Sequence, residues 1–107
     1  MANVLLIGAT GFVGSAVLNE LVSRGHKVTA VARNVEKVAK SELVDVVKED
    51  VANVDAIAKL AEGKDAIISA YNPGWTNPDI ATLISENYPK ILSAAKKSGV
   101  ERLLIVG

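Results

Sequence analysis

The chain has 107 residues, half of them hydrophobic, and its 12 basic side chains balance 12 acidic ones, which leaves no net charge. This length predicts one domain over 1–107, and the neutral charge argues against nucleic acid or an anionic membrane as a partner. Cysteine is absent, which excludes disulfides, thiolate metal sites and a cysteine nucleophile. The first residues do not resemble a signal peptide, and no apolar run reaches about 18 residues. We therefore expect a soluble, cytoplasmic protein without a bound metal.

The first segment carries the most informative pattern in the chain. Val4–Ile7 is a short unbroken apolar run, typical of a strand buried on both faces. It leads into the turn Gly8–Gly14, and apolar residues then recur at helical spacing until Gly25, which predicts an amphipathic helix. A strand, a glycine-rich turn and a helix N-terminus together form a phosphate site. The turn exposes backbone N–H groups, and the helix dipole adds about half a positive charge.

The glycines of this turn follow the spacing G-x-x-G-x-x-G. Glycines alone are weak evidence of a ligand, because many glycine turns only separate two elements. Here they lie between a predicted strand and a predicted helix, which is the context required for dinucleotide binding. We therefore favour a pyrophosphate site over a purely structural turn. The residues expected to contact the cofactor are Gly8, Thr10, Gly11, Phe12, Val13 and Gly14.

This turn resembles that of the short-chain dehydrogenase/reductase superfamily, especially its extended and atypical members, in which G-A-T-G-F-V-G is a common form. The stretch Ile91–Val106 also resembles the helix and strand that precede the active-site segment of those proteins. The resemblance covers the whole chain but only the first part of the family fold. It implies a doubly wound α/β Rossmann fold, with a parallel sheet of five strands in the order 3-2-1-4-5 and the substrate-binding part missing.

Arg33 and Asn34 follow the second predicted strand, Val28–Ala32. In a dinucleotide-binding fold this position faces the adenosine ribose, where an acidic residue binds the 2′-hydroxyl of NAD and an arginine accommodates the 2′-phosphate of NADP. The planar guanidinium can donate two parallel hydrogen bonds to a phosphate. The sequence therefore favours NADP, with NAD as the alternative cofactor. A solvated loop arginine is the other interpretation of Arg33.

A short helix over Val35–Lys40 and an edge strand, Leu43–Lys48, are expected next. The Asp50-Val51 pair that follows resembles the pair that brackets the adenine in short-chain dehydrogenases. The resemblance implies that the carboxylate accepts from the exocyclic amine and that the next N–H donates to a ring nitrogen. From the residues alone, Asp50 is equally consistent with a cap for the next helix, expected over Asn53–Glu62.

The fourth strand, Ala66–Ala70, leads into Tyr71–Pro78, whose prolines, glycine and asparagines prevent regular structure. Ligands of doubly wound sheets bind beyond the carboxyl ends of the strands, where the strand order reverses, and the first and fourth strands flank that point. For Trp75, packing on the sheet edge is the alternative to ligand contact. The expected cofactor residues here are Ser69, Ala70 and Tyr71, and those for substrate or a lid are Asn72 and Trp75.

The last predicted helix, Asp79–Ser98, contains Pro89, which removes one hydrogen bond and predicts a kink. Tyr88 and Lys90 are not the Tyr-x-x-x-Lys pair of short-chain dehydrogenases. They are two residues apart and lie on different sides of a helix, whereas the catalytic pair needs a four-residue spacing to share a face. We assign no catalytic residue. The fifth strand, Leu103–Gly107, would form an apolar edge, which indicates a truncated chain or an edge covered in a homodimer.

The closest resemblance is to NADH-flavin reductase and biliverdin-reductase-B-like proteins, which lack the Tyr-x-x-x-Lys pair. It implies an NADPH-dependent reductase that stacks a flavin-like or quinone-like acceptor on the nicotinamide, so that the partners are a dinucleotide and a small-molecule acceptor. Two alternatives stay open. One is a sugar-nucleotide epimerase or dehydratase with its catalytic pair beyond residue 107. The other is a regulator resembling the NmrA group, which senses the ratio of oxidised to reduced cofactor.

Overall fold

Five strands and three helices make up the described part of the chain. The computed structural model describes residues 2–9, 12–32, 36, 38, 41–50, 53–70, 80–100 and 102–105. In chain order the elements are β1 (Asn3–Ile7), α1 (Phe12–Ser23), β2 (Lys27–Ala32), β3 (Val44–Lys48), α2 (Val54–Ala61), β4 (Ala66–Ser69), α3 (Ile80–Ser98) and β5 (Leu103–Ile105). The strands form one parallel sheet in the order β3-β2-β1-β4-β5, which confirms the predicted fold.

The register of the sheet brings the ends of the strands level with one another. Ile7, near the carboxyl end of β1, lies opposite Val31 of β2 and Ser69 of β4. At the other end of β1, Asn3 lies opposite Lys27. We call these two ends the carboxyl edge and the amino edge of the sheet. The chain moves from β1 toward β2 and β3, and later from β4 toward β5, so the strand order reverses between β1 and β4. Ligands of such sheets bind at the carboxyl edge beside this reversal.

Two apolar clusters cover the two faces of the sheet. Consecutive side chains of a strand point to opposite faces, so the unbroken run in β1 contributes Leu5 and Ile7 to one cluster and Leu6 to the other. The first cluster packs against α2 and α3 through Ile57 and Ile91. The second packs against α1. Burying each large aliphatic side chain stabilises the fold by about 1.5–3 kcal/mol, and this burial holds the helices against the two faces of the sheet.

Element boundaries agree with the sequence predictions within one or two residues in the described ranges. The helix α3 continues through Pro89. The short helix expected over Val35–Lys40 lies mostly outside the described residues. Only two of its residues are described: Glu36 has 3₁₀ conformation, and Val38 is buried on the α1 side of the sheet. Val106 and Gly107, expected to extend the last strand, also lie outside them.

The strand β5 forms an apolar edge, as the sequence predicts. Its side chains Leu104 and Ile105 are 58% and 40% exposed. The homodimer expected to cover this edge stays a prediction. Among the described residues, no helix combines the length and the apolar character that crossing a bilayer requires.

Candidate functional site

The turn after β1 begins at a position whose backbone conformation favours glycine. Gly8 has a φ of 81°, in the left-handed region that side chains with a Cβ rarely adopt. This conformation lets the chain leave β1 and reverse toward α1 over a few residues. Ala9 is buried against the α1 side of the sheet, which anchors the turn from below. The backbone here is therefore held close to the strand end.

Gly14 allows the N-terminus of α1 to rest against this turn. A Cβ built on Gly14 would lie 2.8 Å from the carbonyl carbon of Gly8 and 3.1 Å from the Cα of Ala9, and closer still to the carbonyl oxygen of Gly8. These are backbone atoms, which do not rotate aside as a side chain would. Any side chain at this position would push the helix away from β1. The close approach of helix and strand is the fit that a pyrophosphate-binding turn requires.

The electrostatics at the start of α1 favour an anion. The first N–H groups of a helix have no partner within the helix, and the helix dipole places partial positive charge there. The first turn of α1 carries no acidic side chain that would neutralise this charge. Val13, in the same turn, is 37% exposed.

Ser15 is a residue of the site that the sequence reasoning missed. Its Oγ donates to the carbonyl oxygen of Ala9 at 3.3 Å, which ties the first turn of α1 back to the loop. This bond fixes a carbonyl inside the segment whose N–H groups would face a phosphate. A hydroxyl in the first turn of a helix, directly after a glycine-rich loop, is the signal that would have identified it.

The end of β4 lies beside the end of β1, as the strand order requires. The N–H of Ala70 donates to the carbonyl oxygen of Ile7 at 2.8 Å, so this N–H is used by the sheet. Ser69 is fully buried and Ala70 nearly so. Both expected cofactor residues are therefore at the carboxyl edge next to the Gly8 turn. The Ser69 side chain is not exposed at this edge.

The end of β3 forms a corner at the same edge. The N–H of Glu49 donates to the carbonyl oxygen of Ala32, the last residue of β2, at 3.2 Å. Asp50 follows and is exposed. The N-cap of α2 is Asn53, whose Oδ1 accepts from the N–H of Ala56 at 3.3 Å. The alternative role of Asp50 as the cap of this helix is therefore wrong.

Of the remaining predicted site residues, Phe12 is the first residue of α1. The other such residues lie outside the described residues: Thr10, Gly11, Arg33, Asn34, Val51, Tyr71, Asn72 and Trp75.

The described parts of the site form one row along the carboxyl edge. From the end of β3 to the end of β4 there are three inter-strand spacings, or about 14 Å. The Gly8 turn lies between these ends, so a group bound at this turn would have further protein surface on both sides. Such a row suits an extended ligand with its charged group in the middle.

Comparison with known proteins agrees with this geometry. The model of a family described as NAD(P)H-binding matches residues 8–107. A Bacteroides thetaiotaomicron protein provisionally described as an epimerase is 44% identical with a TM-score of 0.87, and the match covers 99% of this chain and 47% of that one. The oxidoreductase ylbE from Lactococcus lactis is 30% identical with a TM-score of 0.84, over 96% of this chain and 47% of the other.

Among curated relatives, the ketoreductase CTB6 of Cercospora nicotianae is 31% identical. The alignment has 125 positions, gaps included, and covers 96% of this chain and 35% of the ketoreductase. The chain spans less than half the length of the curated relatives it matches.

Proposed function

Because this chain belongs to the NAD(P)H-binding family, we propose that it holds a dinucleotide across the carboxyl edge, with the pyrophosphate at the Gly8–Gly14 turn. The packing of Gly14 against the backbone of Gly8 carries this proposal. That close approach, together with the left-handed φ of Gly8, is what a pyrophosphate needs to reach both the turn and the N-terminus of α1.

The adenosine half of the dinucleotide extends toward β2 and β3 in this proposal. Arg33 follows Ala32 directly and would donate to a 2′-phosphate, so we propose NADP as the preferred cofactor. Asp50 and Val51 would bracket the adenine through the carboxylate of the first and the backbone N–H of the second. The exposure of Asp50 at the end of β3 supports this role.

The nicotinamide half extends toward β4, where Ser69, Ala70 and Tyr71 would border it. Bound there, the reduced nicotinamide supplies a hydride. The protein's part is to orient this ring and its acceptor, which requires shape more than an acid or a base. Asn72 and Trp75, which follow β4, are the proposed contacts for the acceptor.

We propose that the acceptor is flavin-like or quinone-like, and that the protein is an NADPH-dependent reductase. The resemblance of the chain to NADH-flavin reductase and biliverdin-reductase-B-like proteins supports the choice, and a planar acceptor needs orientation more than proton transfer. The epimerase description of the Bacteroides neighbour favours a second candidate, a sugar-nucleotide epimerase or dehydratase. A sensor of the cofactor's redox state, similar to the NmrA group, is the non-enzymatic alternative.

One assay separates these functions. The protein is incubated with NADPH and either FMN or a nucleotide sugar. The absorbance at 340 nm is followed, and the sugar products are separated by chromatography. Steady loss of absorbance supports the reductase. Tight NADPH binding without turnover favours the sensor, and conversion of a nucleotide sugar without net NADPH consumption favours the epimerase. A protein that binds neither NADPH nor NADH contradicts the proposed function as a whole.

A further inference from the structure

The backbone of Glu49 lies beside the end of β2, near the proposed 2′-phosphate position. Its N–H bonds to the carbonyl oxygen of Ala32 at 3.2 Å, so Glu49 lies next to the last residue of β2, which leads directly into Arg33. A carboxylate that faced the ribose here would favour a 2′-hydroxyl and repel a 2′-phosphate. The direction of this side chain therefore matters for cofactor preference.

Two hydrogen bonds hold the Glu49 carboxylate near the start of α2. Its Oε1 accepts from the N–H of Asp50 at 3.0 Å and from the Nδ2 of Asn53 at 3.3 Å. Both donors follow Glu49 in the chain and lie toward the start of α2. The carboxylate is thus directed at the α2 N-terminus, where partial positive charge stabilises it.

Asn53 is itself held in place by the backbone around it. Its N–H donates to the carbonyl oxygen of Asp50 at 3.0 Å, and its Oδ1 accepts from the N–H of Ala56 at 3.3 Å. With the oxygen used as the helix cap, the amide NH₂ group is left to face Glu49. Asparagine can fill both roles at once. Aspartate caps a helix equally well but has no donor for a carboxylate.

We infer that Asn53 and Glu49 set the preference between NADPH and NADH, with Asn53 as a positioning residue that keeps the Glu49 carboxylate away from the ribose. This inference rests on the proposed dinucleotide site. It assigns a role in specificity to two residues of the connection between β3 and α2.

The test compares Asn53→Asp, Glu49→Gln and the double variant in the full chain. Dissociation constants for NADPH and NADH are measured by the fluorescence of the reduced nicotinamide, and unfolding midpoints are measured by circular dichroism. Asn53→Asp keeps the helix cap but repels Glu49, so NADPH should bind about fivefold more weakly while NADH changes by less than about twofold, a difference the size of one screened charge interaction. The double variant should recover the wild-type ratio, because its residue 49 has no charge.

The inference is overturned if Asn53→Asp lowers the affinities for NADPH and NADH equally. It is also overturned if adding Glu49→Gln to Asn53→Asp does not restore the wild-type ratio of the two affinities. Either result leaves only a structural role for the pair. This failure differs from failure of the proposed function. If the site is wrong, wild-type protein binds neither dinucleotide; if only the inference is wrong, wild-type binding persists and Arg33→Ala still lowers NADPH affinity selectively.

Discussion

The amino edge and the carboxyl edge of this sheet belong to the same strands but make different contacts with the segments that connect them. At the amino edge, polar groups of neighbouring segments bond directly to one another. The N–H of Asn3 donates to the Asp65 carboxylate at 2.7 Å, and the N–H of Asp65 returns a bond of 2.7 Å to the carbonyl oxygen of Asn3. The N–H of Ala2 donates to the Nδ1 of His26 at 3.0 Å. These bonds hold the neighbouring turns against the start of β1.

The carboxyl edge has a different construction around the same strand. Here the left-handed Gly8 and the close approach of Gly14 bring the start of a helix against the strand end. The first N–H groups of that helix have no acceptor within the helix. The difference between the edges is that the amino edge pairs its polar groups across neighbouring turns, whereas the carboxyl edge carries the helix N-terminus that we propose as the pyrophosphate site.

The largest effect should come from Gly14→Ala. The added methyl group meets the Gly8 backbone, so α1 must move, and overpacking of this kind costs about 1–3 kcal/mol of unfolding free energy. We expect NADPH affinity to fall at least about a hundredfold, since the pyrophosphate loses both turn and helix contacts. Fluorescence titration and urea unfolding measure the two effects.

Gly63→Ala is the matched control near the amino edge. Gly63 also has a left-handed φ, of 78°, but a Cβ there meets nothing within 4 Å. The variant should lose about 1 kcal/mol of stability through backbone strain and keep its NADPH affinity. Loss of NADPH affinity in both variants to the same degree would mean that the effect is general destabilisation.

Arg33→Ala tests the cofactor preference of the carboxyl edge. Removal of a charged donor to a phosphate costs about 1.5–3 kcal/mol, so NADPH should bind about ten- to a hundredfold more weakly. NADH lacks the 2′-phosphate and should be affected by less than about twofold. Isothermal titration with both cofactors provides the measurement, and equal losses would contradict the assignment of NADP.

Ser15→Ala should have a smaller effect on the same edge. The variant removes the hydrogen bond from the Ser15 hydroxyl to Ala9, which stabilises the shape of the turn by about 1 kcal/mol. Because NADPH must then order the turn at this cost, it should bind about fivefold more weakly. Ser15→Thr retains the hydroxyl and should bind as the wild type does. A Ser15→Ala protein with unchanged affinity would show that the turn holds its shape without this bond.

Asp65→Ala should change only the amino edge. The N–H of Asn3 loses its carboxylate acceptor, which should lower the unfolding free energy by about 1 kcal/mol. NADPH affinity should stay within about twofold of wild type, because the carboxyl edge is untouched. Urea unfolding and titration on the same sample check both halves, and a large loss of affinity would show that the edges are coupled.

Much of the fold could be predicted because the patterns that specify it are local. The apolar run Val4–Ile7 indicates a strand buried on both faces, and Leu5 and Leu6 do lie in opposite clusters. The glycines that bound the turn after β1 indicate a tight passage into a helix, which the structure confirms. The strand order came from the resemblance of the chain to a known family, since periodicity alone does not specify which strands are neighbours.

The sequence did not specify the polar contacts of the site. Asp50 and Asn53 are both good capping residues, and the spacing alone does not decide between them. The cap falls at Asn53 because Ile57, Ala58 and Ala61 must face the sheet, which sets where α2 begins. Ser15 was missed because its partner, Ala9, is brought near only by the folded turn. Such contacts depend on how the chain packs and not on which residues are adjacent in the sequence.

Hydrogen exchange with and without NADPH, followed by mass spectrometry, tests the difference between the two edges most directly. The account predicts slower exchange at the start of α1, from Phe12 to Ser15, and around Asp50, with no change at Ala2, Lys27 or Asp65. Protection confined to the amino edge, or no protection at saturating NADPH, would contradict the claim that the carboxyl edge binds the cofactor.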